Sequence, residues 1–119
     1  MQPNYKNLIV WQKSMDLVRE VYTLTEFYPS NELYGLKSQT RGSSVSIPSN
    51  IAEGRRRGYE KEFQRFLSIS FGSGAELETQ IEIAKRLPFG KKIDFINADN
   101  LLNEVMKMLS KMLQNINAD

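Results

Sequence analysis

The chain contains no cysteine and no histidine. Without cysteine it can form neither a disulfide framework nor a thiolate metal site. Without histidine it lacks the commonest metal ligand and the side chain that most often serves as a general base near neutral pH. We therefore predict no metal, no cofactor and no catalytic residue, and we expect that the protein is not an enzyme.

Long apolar runs are also missing from the sequence. No stretch approaches the roughly 18 consecutive apolar residues that a transmembrane helix needs. The polar residues 1–6 do not resemble a secretion signal. Together these features predict a cytoplasmic protein with no membrane partner. The net charge of +2 is too small to predict a nucleic-acid partner by itself.

What the 119 residues do contain is helical periodicity. Apolar side chains recur at spacings of three and four in four segments that prolines and glycines separate. The pattern predicts helices at about 8–28, 31–54, 59–87 and 95–117. We expect Asn7 to cap the first helix and Ser30 or Asn31 the second. Pro48 is expected to bend the second helix or to interrupt one of its hydrogen bonds.

Four long helices joined by short turns predict a single all-α domain that spans residues 1–119. Its expected architecture is an antiparallel up-down-up-down four-helix bundle. The apolar arcs of the first and fourth helices are wider than the core of such a bundle can cover. One interpretation is a surface for self-association, and the other is a wide core within one chain. The residues at the edges of these arcs are Trp11, Met15, Tyr22, Leu101 and Met108.

The second predicted helix carries polar residues on a face that its neighbours are expected to cover. Gln39, Ser46, Asn50 and Glu53 are therefore predicted to form an internal hydrogen-bond network that fixes the packing of the bundle. A ligand site is the alternative. Glu53 also precedes Arg57 by four residues, the spacing of an ordinary surface ion pair on a helix.

Basic residues cluster where the second helix meets the third. Arg55, Arg56 and Arg57 are consecutive, and Lys61 and Arg65 continue on one outward face. Arginine can bind a phosphate through two parallel hydrogen bonds, so one interpretation is a phosphate-binding surface. The other is a solvated turn that keeps the protein soluble. An oligomer would repeat the cluster and let several weak phosphate contacts add up.

A second basic cluster lies at the far end of the third predicted helix. It consists of Lys85, Arg86, Lys91 and Lys92. In an up-down-up-down bundle the two clusters are expected to lie at opposite ends.

The segment Ser46–Gly54, with the sequence SIPSNIAEG and followed by Arg57, resembles a known signature. It is the signature of the four-helix bundle proteins encoded in intervening sequences of 23S ribosomal RNA. The resemblance extends in order over nearly the whole chain. Its other matching pieces are Leu8–Lys13, Tyr34–Leu36 with Gln39 and Arg41, Phe63–Leu67, Gly72-Ser73 and Glu76–Gln80.

This resemblance implies a ring-shaped homo-oligomer of five subunits whose biochemical role is largely undefined. The family is similar in architecture to the accessory proteins of diversity-generating retroelements, which are basic barrels that bind a reverse transcriptase and nucleic acid. That similarity implies phosphate contacts at Arg41, Arg55, Arg56, Arg57, Lys61 and Arg65. The chain departs from the family at Gly42-Ser43-Ser44, where arginine or alanine is common. Two functions stay open: binding of RNA or DNA, and a scaffold for another protein.

Overall fold

The computed structural model describes residues 4–117, with side chains as far as Asn115. Within that range it contains four α-helices and no strand, which confirms the predicted all-α fold with four helices. Residues 1–3 and 118–119 of the predicted 1–119 domain lie outside the described part. The helices are α1 (Ile9–Thr25), α2 (Leu36–Arg56), α3 (Glu60–Arg86) and α4 (Ile96–Asn117).

The helices pack around one core. Helix α1 contacts α2 and α4, and α3 contacts the same two helices, so that the four surround a common interior. The molecule as a whole measures 48 × 22 × 20 Å. Each helix contributes a stripe of apolar side chains at helical spacing, as the periodicity predicted. The most completely buried of them are Leu17, Val21, Ile47, Ile51, Leu67, Leu77, Ile81, Val105 and Leu109.

Helix α1 is shorter at both ends than the predicted range 8–28. Leu8, rather than the predicted Asn7, occupies its N-cap, and Asn7 instead ends a short 3-10 turn, Tyr5–Asn7. At the other end the hydrogen bonds tighten to three-residue spacing, because the amide of Phe27 donates to Leu24 O at 3.1 Å. The helix therefore stops at Thr25, before the ring of Pro29 becomes the limit.

Helix α2 begins five residues later than the predicted start at residue 31. Ser30 and Asn31 do not cap it, because they belong to a second 3-10 turn, Ser30–Glu32. The carboxylate of Glu32 takes the capping role instead, since its Oε1 accepts a hydrogen bond of 3.0 Å from the amide of Leu36. The helix then runs without a break through the buried Pro48.

Small residues bring α2 and α3 close together. The hydroxyl of Ser70 donates to the carbonyl of Ile47 at 2.9 Å, and the hydroxyls of Ser46 and Ser73 lie 2.8 Å apart. These bonds satisfy polar groups within a largely buried contact, which a serine-rich helix would otherwise leave unpaired. Ser46, one of the serines that make α2 a poor helix former in isolation, thus helps to attach the helix to α3.

Helices α3 and α4 lie within one residue of their predicted bounds, 59–87 and 95–117, and α3 is continuous through Gly72 and Gly74. Asp94 caps the start of α4, because its Oδ1 accepts a hydrogen bond of 2.9 Å from the amide of Ile96. Across residues 4–117, no helix combines the length and the apolar character that crossing a membrane requires.

Candidate nucleic-acid interface at the turn between α2 and α3

The basic cluster lies at a reversal of the chain. Arg55 and Arg56 form the last turn of α2, Arg57 caps it, and α3 starts at Glu60. Gly58 reverses the chain with φ of 82°, a backbone conformation that other residues rarely adopt. Positive side chains at the end of α2 meet the negative end of its dipole, so their placement stabilises the helix while keeping them together.

Each of the three consecutive arginines packs against an aromatic ring. Such contacts between a guanidinium group and a ring attract electrostatically and restrict the conformations of the long side chain. The arginines are therefore partly fixed before any ligand arrives. The distances from the guanidinium carbon to the ring centroid are 5.2 Å for Arg55 over Phe63, 5.4 Å for Arg56 over Tyr5 and 5.1 Å for Arg57 over Phe66.

Two of the predicted phosphate contacts are already paired with carboxylates. Arg57 lies 2.9 Å from Glu53 and 3.5 Å from Glu62, and Arg65 lies 3.1 Å from Glu62. The hydrogen bond from Arg65 holds the pKa of Glu62 below its ordinary value, against a smaller opposing effect of desolvation. These pairs keep Glu62 ionised and reduce the positive charge that Arg57 and Arg65 present to a ligand.

In the part of the chain that the structure describes, the other basic residues of the turn are not paired with carboxylates as Arg57 and Arg65 are. They are Arg55, Arg56 and Lys61. Within the described residues none of the three has a carboxylate within 4.0 Å. Arg56 and Lys61 are exposed, and the buried Nε of the half-buried Arg55 has no hydrogen-bond partner in the same part of the chain. The uncompensated positive charge of the turn is therefore concentrated at these three side chains.

A hollow of about 460 Å³ opens beside the turn. Arg55 and Glu60 place one charge of each sign on its wall, and two rings, Tyr59 and Phe63, provide apolar surface. The end of α4 closes the opposite side. The remaining lining residues are Gly54, Gly58, Met112 and Asn115.

Arg41 does not join this cluster, although the family similarity implied that it would. It lies 14 positions before Arg55 on α2, about 21 Å away along the helix axis. Its Nε donates to Thr25 Oγ1 at 2.8 Å, and its Nη2 lies 2.6 Å from the carboxylate of Glu26. Nη2 also donates to the carbonyl of Tyr22 at 3.1 Å. Arg41 thus ties α2 to the end of α1, and its Nε and Nη2 both donate within the chain.

The predicted polar network on α2 is smaller than the sequence indicated. Asn50 Nδ2 donates to the carbonyl and to the hydroxyl of Ser46, at 2.8 and 3.0 Å, and that hydroxyl continues to Ser73. Gln39 and Glu53 lie on the exposed side of the helix instead. The periodicity argument placed all four on a covered face, but α3 covers only the part of α2 that faces it.

The five predicted interface residues divide into two groups. Trp11, Leu101 and Met108 are half-buried and pack against the core of their own chain. Met15 and Tyr22 on α1 are 44% and 41% exposed. The wide apolar arc of α4 is therefore largely covered within the chain, whereas part of the arc of α1 faces outward.

The second basic cluster is largely engaged in ion pairs. Lys85 bridges Glu82 at 3.0 Å and Asp99 at 2.7 Å, and Arg86 lies 3.1 Å from Glu82. The hydrogen bond to Asp99 raises the pKa of Lys85 above its ordinary value. Only Lys91 and Lys92 of the four are exposed without a carboxylate partner in the described range.

Sequence reasoning missed the aromatic part of the site. The rings of Phe63 and Phe66 on α3 and of Tyr5 in the first 3-10 turn contact the arginines, and Tyr59 lies at the start of α3. The available signal was the spacing of Tyr59, Phe63 and Phe66, which places rings next to the arginine run. Among residues 4–115, no three acidic side chains approach closely enough to hold a metal ion.

The fold defines an all-α, four-helix protein with a basic turn between α2 and α3. Residues 6–111 match the family described as 23S rRNA-intervening sequence protein, and the chain belongs to that family. This match confirms the resemblance seen in the sequence. No curated protein matches the chain significantly.

Proposed function

We propose that the turn between α2 and α3 binds the phosphates of RNA or DNA, without catalysis and with little sequence preference. One observation carries the proposal: Arg55 and Arg56 are positioned by aromatic rings and have no carboxylate partner in the described residues. An arginine fixed by a ring loses less conformational entropy when it binds a phosphate. Charge that no carboxylate neutralises remains available to a polyanion.

The expected affinity of one chain is modest. Arg55, Arg56 and Lys61 would neutralise about two to three phosphates, and each phosphate contributes about 0.9 to the slope of log affinity against log salt. Binding of this kind is strong at low salt and weak at physiological salt unless several copies act together. The proposal therefore includes an assembly that repeats the turn.

The test compares two double variants that remove the same charge from opposite ends of α3. In Arg55→Ala/Arg56→Ala the salt slope should fall by about 2, and affinity at low salt should fall by at least about tenfold. Lys91→Ala/Lys92→Ala is the matched control, because both lysines are exposed just beyond the far end of α3 and have no carboxylate within 4.0 Å among the described residues. Fluorescence anisotropy of a labelled RNA, titrated at several salt concentrations, measures both quantities.

Equal losses in the two double variants would mean that overall charge governs binding and would refute the assignment to the turn. Wild-type protein that binds no RNA or DNA at low salt would refute the function itself.

We infer further that the four helices alternate in direction. The end of α1 contacts the beginning of α2 through Thr25 and Arg41, and the end of α3 contacts the beginning of α4 through Lys85 and Asp99. The beginning of α1 and the end of α4 also lie together, because Leu8–Val10 line the same surface hollow as Met108, Lys111 and Met112. These contacts favour the up-down-up-down arrangement.

We also infer that the chain forms a ring through the outer side of α1. Met15 and Tyr22 follow helical spacing on one side of α1 and are exposed, with the half-buried Val18 between them, and Val45 of α2 is also exposed. This α1 strip is apolar, and its outward exposure supports an interface between copies. The ring of five subunits that the resemblance implied would gather five basic turns on one particle.

A protein scaffold is the second candidate function. The observation that favours it lies at the other end of the bundle, where Phe27 and Tyr34 are 72% and 93% exposed and Leu33 and Ile96 are also exposed. Large apolar side chains gathered at one end are typical of a protein contact. A pulldown from nuclease-treated lysate that recovers a specific protein, lost in Phe27→Ser/Tyr34→Ser, would support the scaffold.

A further inference from the structure

We infer that the turn between α2 and α3 binds single strands in preference to duplexes, with the ring of Tyr59 stacking on an unpaired base. This inference rests on the proposed nucleic-acid function and assigns the class of nucleic acid.

The Tyr59 ring is the exposed aromatic surface at the basic end of the bundle. It is 71% exposed, and it makes no ring, cation or hydrogen-bond contact with any described residue. The rings of Tyr5, Phe63 and Phe66 are already covered on one face by arginines. Of these four rings, Tyr59 is the one with no arginine against either face among the described residues.

The backbone holds this ring in place. Tyr59 is the N-cap of α3, with φ −112° and ψ 134°, directly after the reversal at Gly58. The amide of Phe63 donates to the carbonyl of Tyr59 at 2.9 Å, so the residue is attached to the first turn of α3. An exposed ring on a fixed backbone offers stacking surface at a low entropic cost.

The hollow beside the turn suits a base better than a phosphate. Its volume of about 460 Å³ falls within the range of small-ligand sites, and Tyr59 and Phe63 line it. The carboxylate of Glu60 on the same wall would repel a phosphate but can accept hydrogen bonds from the N–H groups of a base edge. The phosphates on either side would then meet Arg55 and Arg56.

This geometry distinguishes single strands from duplexes. In a duplex the faces of the bases are stacked on one another, and a side chain at a helix start cannot reach them without disrupting the stack. In a single strand each base presents a free face, and stacking on an aromatic side chain is tolerant of sequence. The arginines would bind either form, so that the preference depends on Tyr59.

The experiment measures binding of a labelled, unstructured single strand of about 16 nucleotides and of the duplex that it forms with its complement. Wild type should bind the single strand more tightly. Tyr59→Ala should weaken single-strand binding about 5- to 100-fold, the range of one lost stacking contact, while duplex binding changes less than about twofold. Tyr59→Phe should retain the preference, because the ring rather than the hydroxyl makes the contact.

Two controls separate this inference from the proposed function. Tyr34→Ala removes a tyrosine that is still more exposed, at the far end of the bundle, and should change neither affinity. Circular dichroism and thermal melting establish that each variant is folded. In Tyr59→Ala the salt slope should remain that of wild type, because no phosphate contact is lost.

Salt-dependent binding that is equal for both nucleic acids, or that Tyr59→Ala leaves unchanged on the single strand, would overturn the inference and leave the proposed function standing. Absence of binding to either nucleic acid at low salt would overturn both. Equal weakening of both forms by Tyr59→Ala would assign the residue to phosphate contact or to local structure and would also overturn the inference.

Discussion

Two arginines of one helix show how neighbours decide what a residue does. Arg41 and Arg55 both belong to α2, yet Arg41 faces the carbonyl end of α1, where Thr25 and Glu26 use its donors. Arg55 faces an aromatic ring and no carboxylate in the described residues. Because a hydrogen bond between charged groups is stronger than one between neutral groups, the bond of Arg41 to Glu26 stabilises the fold.

The Arg41→Ala variant should therefore lose stability rather than affinity. Removing its hydrogen bonds to Thr25, Tyr22 and Glu26 should lower the free energy of unfolding by about 2 kcal/mol. Urea denaturation measures this loss, and Arg41→Lys should restore only part of it, because lysine lacks the planar fork. Weaker nucleic-acid binding at unchanged stability would return Arg41 to the ligand site.

Ionisation of Tyr28 is expected to lower the free energy of unfolding at alkaline pH. Burial raises the pKa of its phenol to about 12, and the hydroxyl has no hydrogen-bond partner among residues 4–115. In the unfolded chain a tyrosine ionises near pH 10. Since the pKa is raised on folding, the contribution to stability is complete below about pH 10 and disappears as the pH rises towards 12.

Wild type should consequently lose up to about 3 kcal/mol more than Tyr28→Phe between pH 9 and pH 12. Urea denaturation of both proteins across this range measures the difference between their free energies of unfolding. Lysine and arginine titrate alike in the two proteins, so their effects cancel in this difference. Parallel pH curves for the two proteins would show that Tyr28 titrates like an exposed tyrosine.

At the scale of the helix, Gly54 of α2 and Gly72 of α3 have opposite roles. A Cβ on Gly54 would lie 2.6 Å from Phe66 Cβ and 3.4 Å from the backbone of Phe63, so α3 would have to move away. A Cβ on Gly72 would meet nothing within 4 Å. Gly54 thus permits a close helix contact, whereas Gly72 only weakens its helix.

We expect Gly54→Ala to destabilise the protein by about 1–3 kcal/mol and Gly72→Ala to stabilise it by about 0.5–1 kcal/mol. Gly42→Ala serves as a second control, because its position is equally open. Thermal or urea unfolding distinguishes the two signs. Stabilisation by Gly54→Ala would mean that the ends of α2 and α3 separate easily.

The elements differ in how far the sequence predicted them. Apolar periodicity located all four helices, because core burial dominates over propensity even in the serine-rich α2. The ends of α1 and α2 were wrong by several residues, since the cap of α2 comes from Glu32 and no local pattern marks a carboxylate that reaches four residues ahead. The basic turn was predictable from three consecutive arginines. The ion pair of Arg57 with Glu53 was also predictable, from their spacing of four residues. The aromatic partners and the pairing of Arg57 with Glu62 were not, because most of them depend on which helices become neighbours.

At the scale of the whole molecule, self-association through the exposed α1 strip would determine how many basic turns act together. A stable interface buries roughly 800 Å² per partner. The α1 strip would form part of such an interface between neighbouring copies. In a ring every basic turn would be repeated around the particle, and weak phosphate contacts would combine into useful affinity. The proposed function thus depends on the assembly.

The Met15→Glu variant tests that dependence. Met15 is 44% exposed on α1, and a charge in the middle of an interface is costly to desolvate. We expect wild type to scatter light as an oligomer and Met15→Glu to scatter as a monomer of 13.7 kDa with the same helicity. Ile83→Glu is the matched control, because Ile83 on α3 is also 44% exposed but lies outside the α1 strip.

The monomeric variant should bind nucleic acid at least about tenfold more weakly although every arginine is present, because avidity is lost. Full affinity in a monomer would separate binding from assembly, and a monomeric wild type would remove the ring from the proposal.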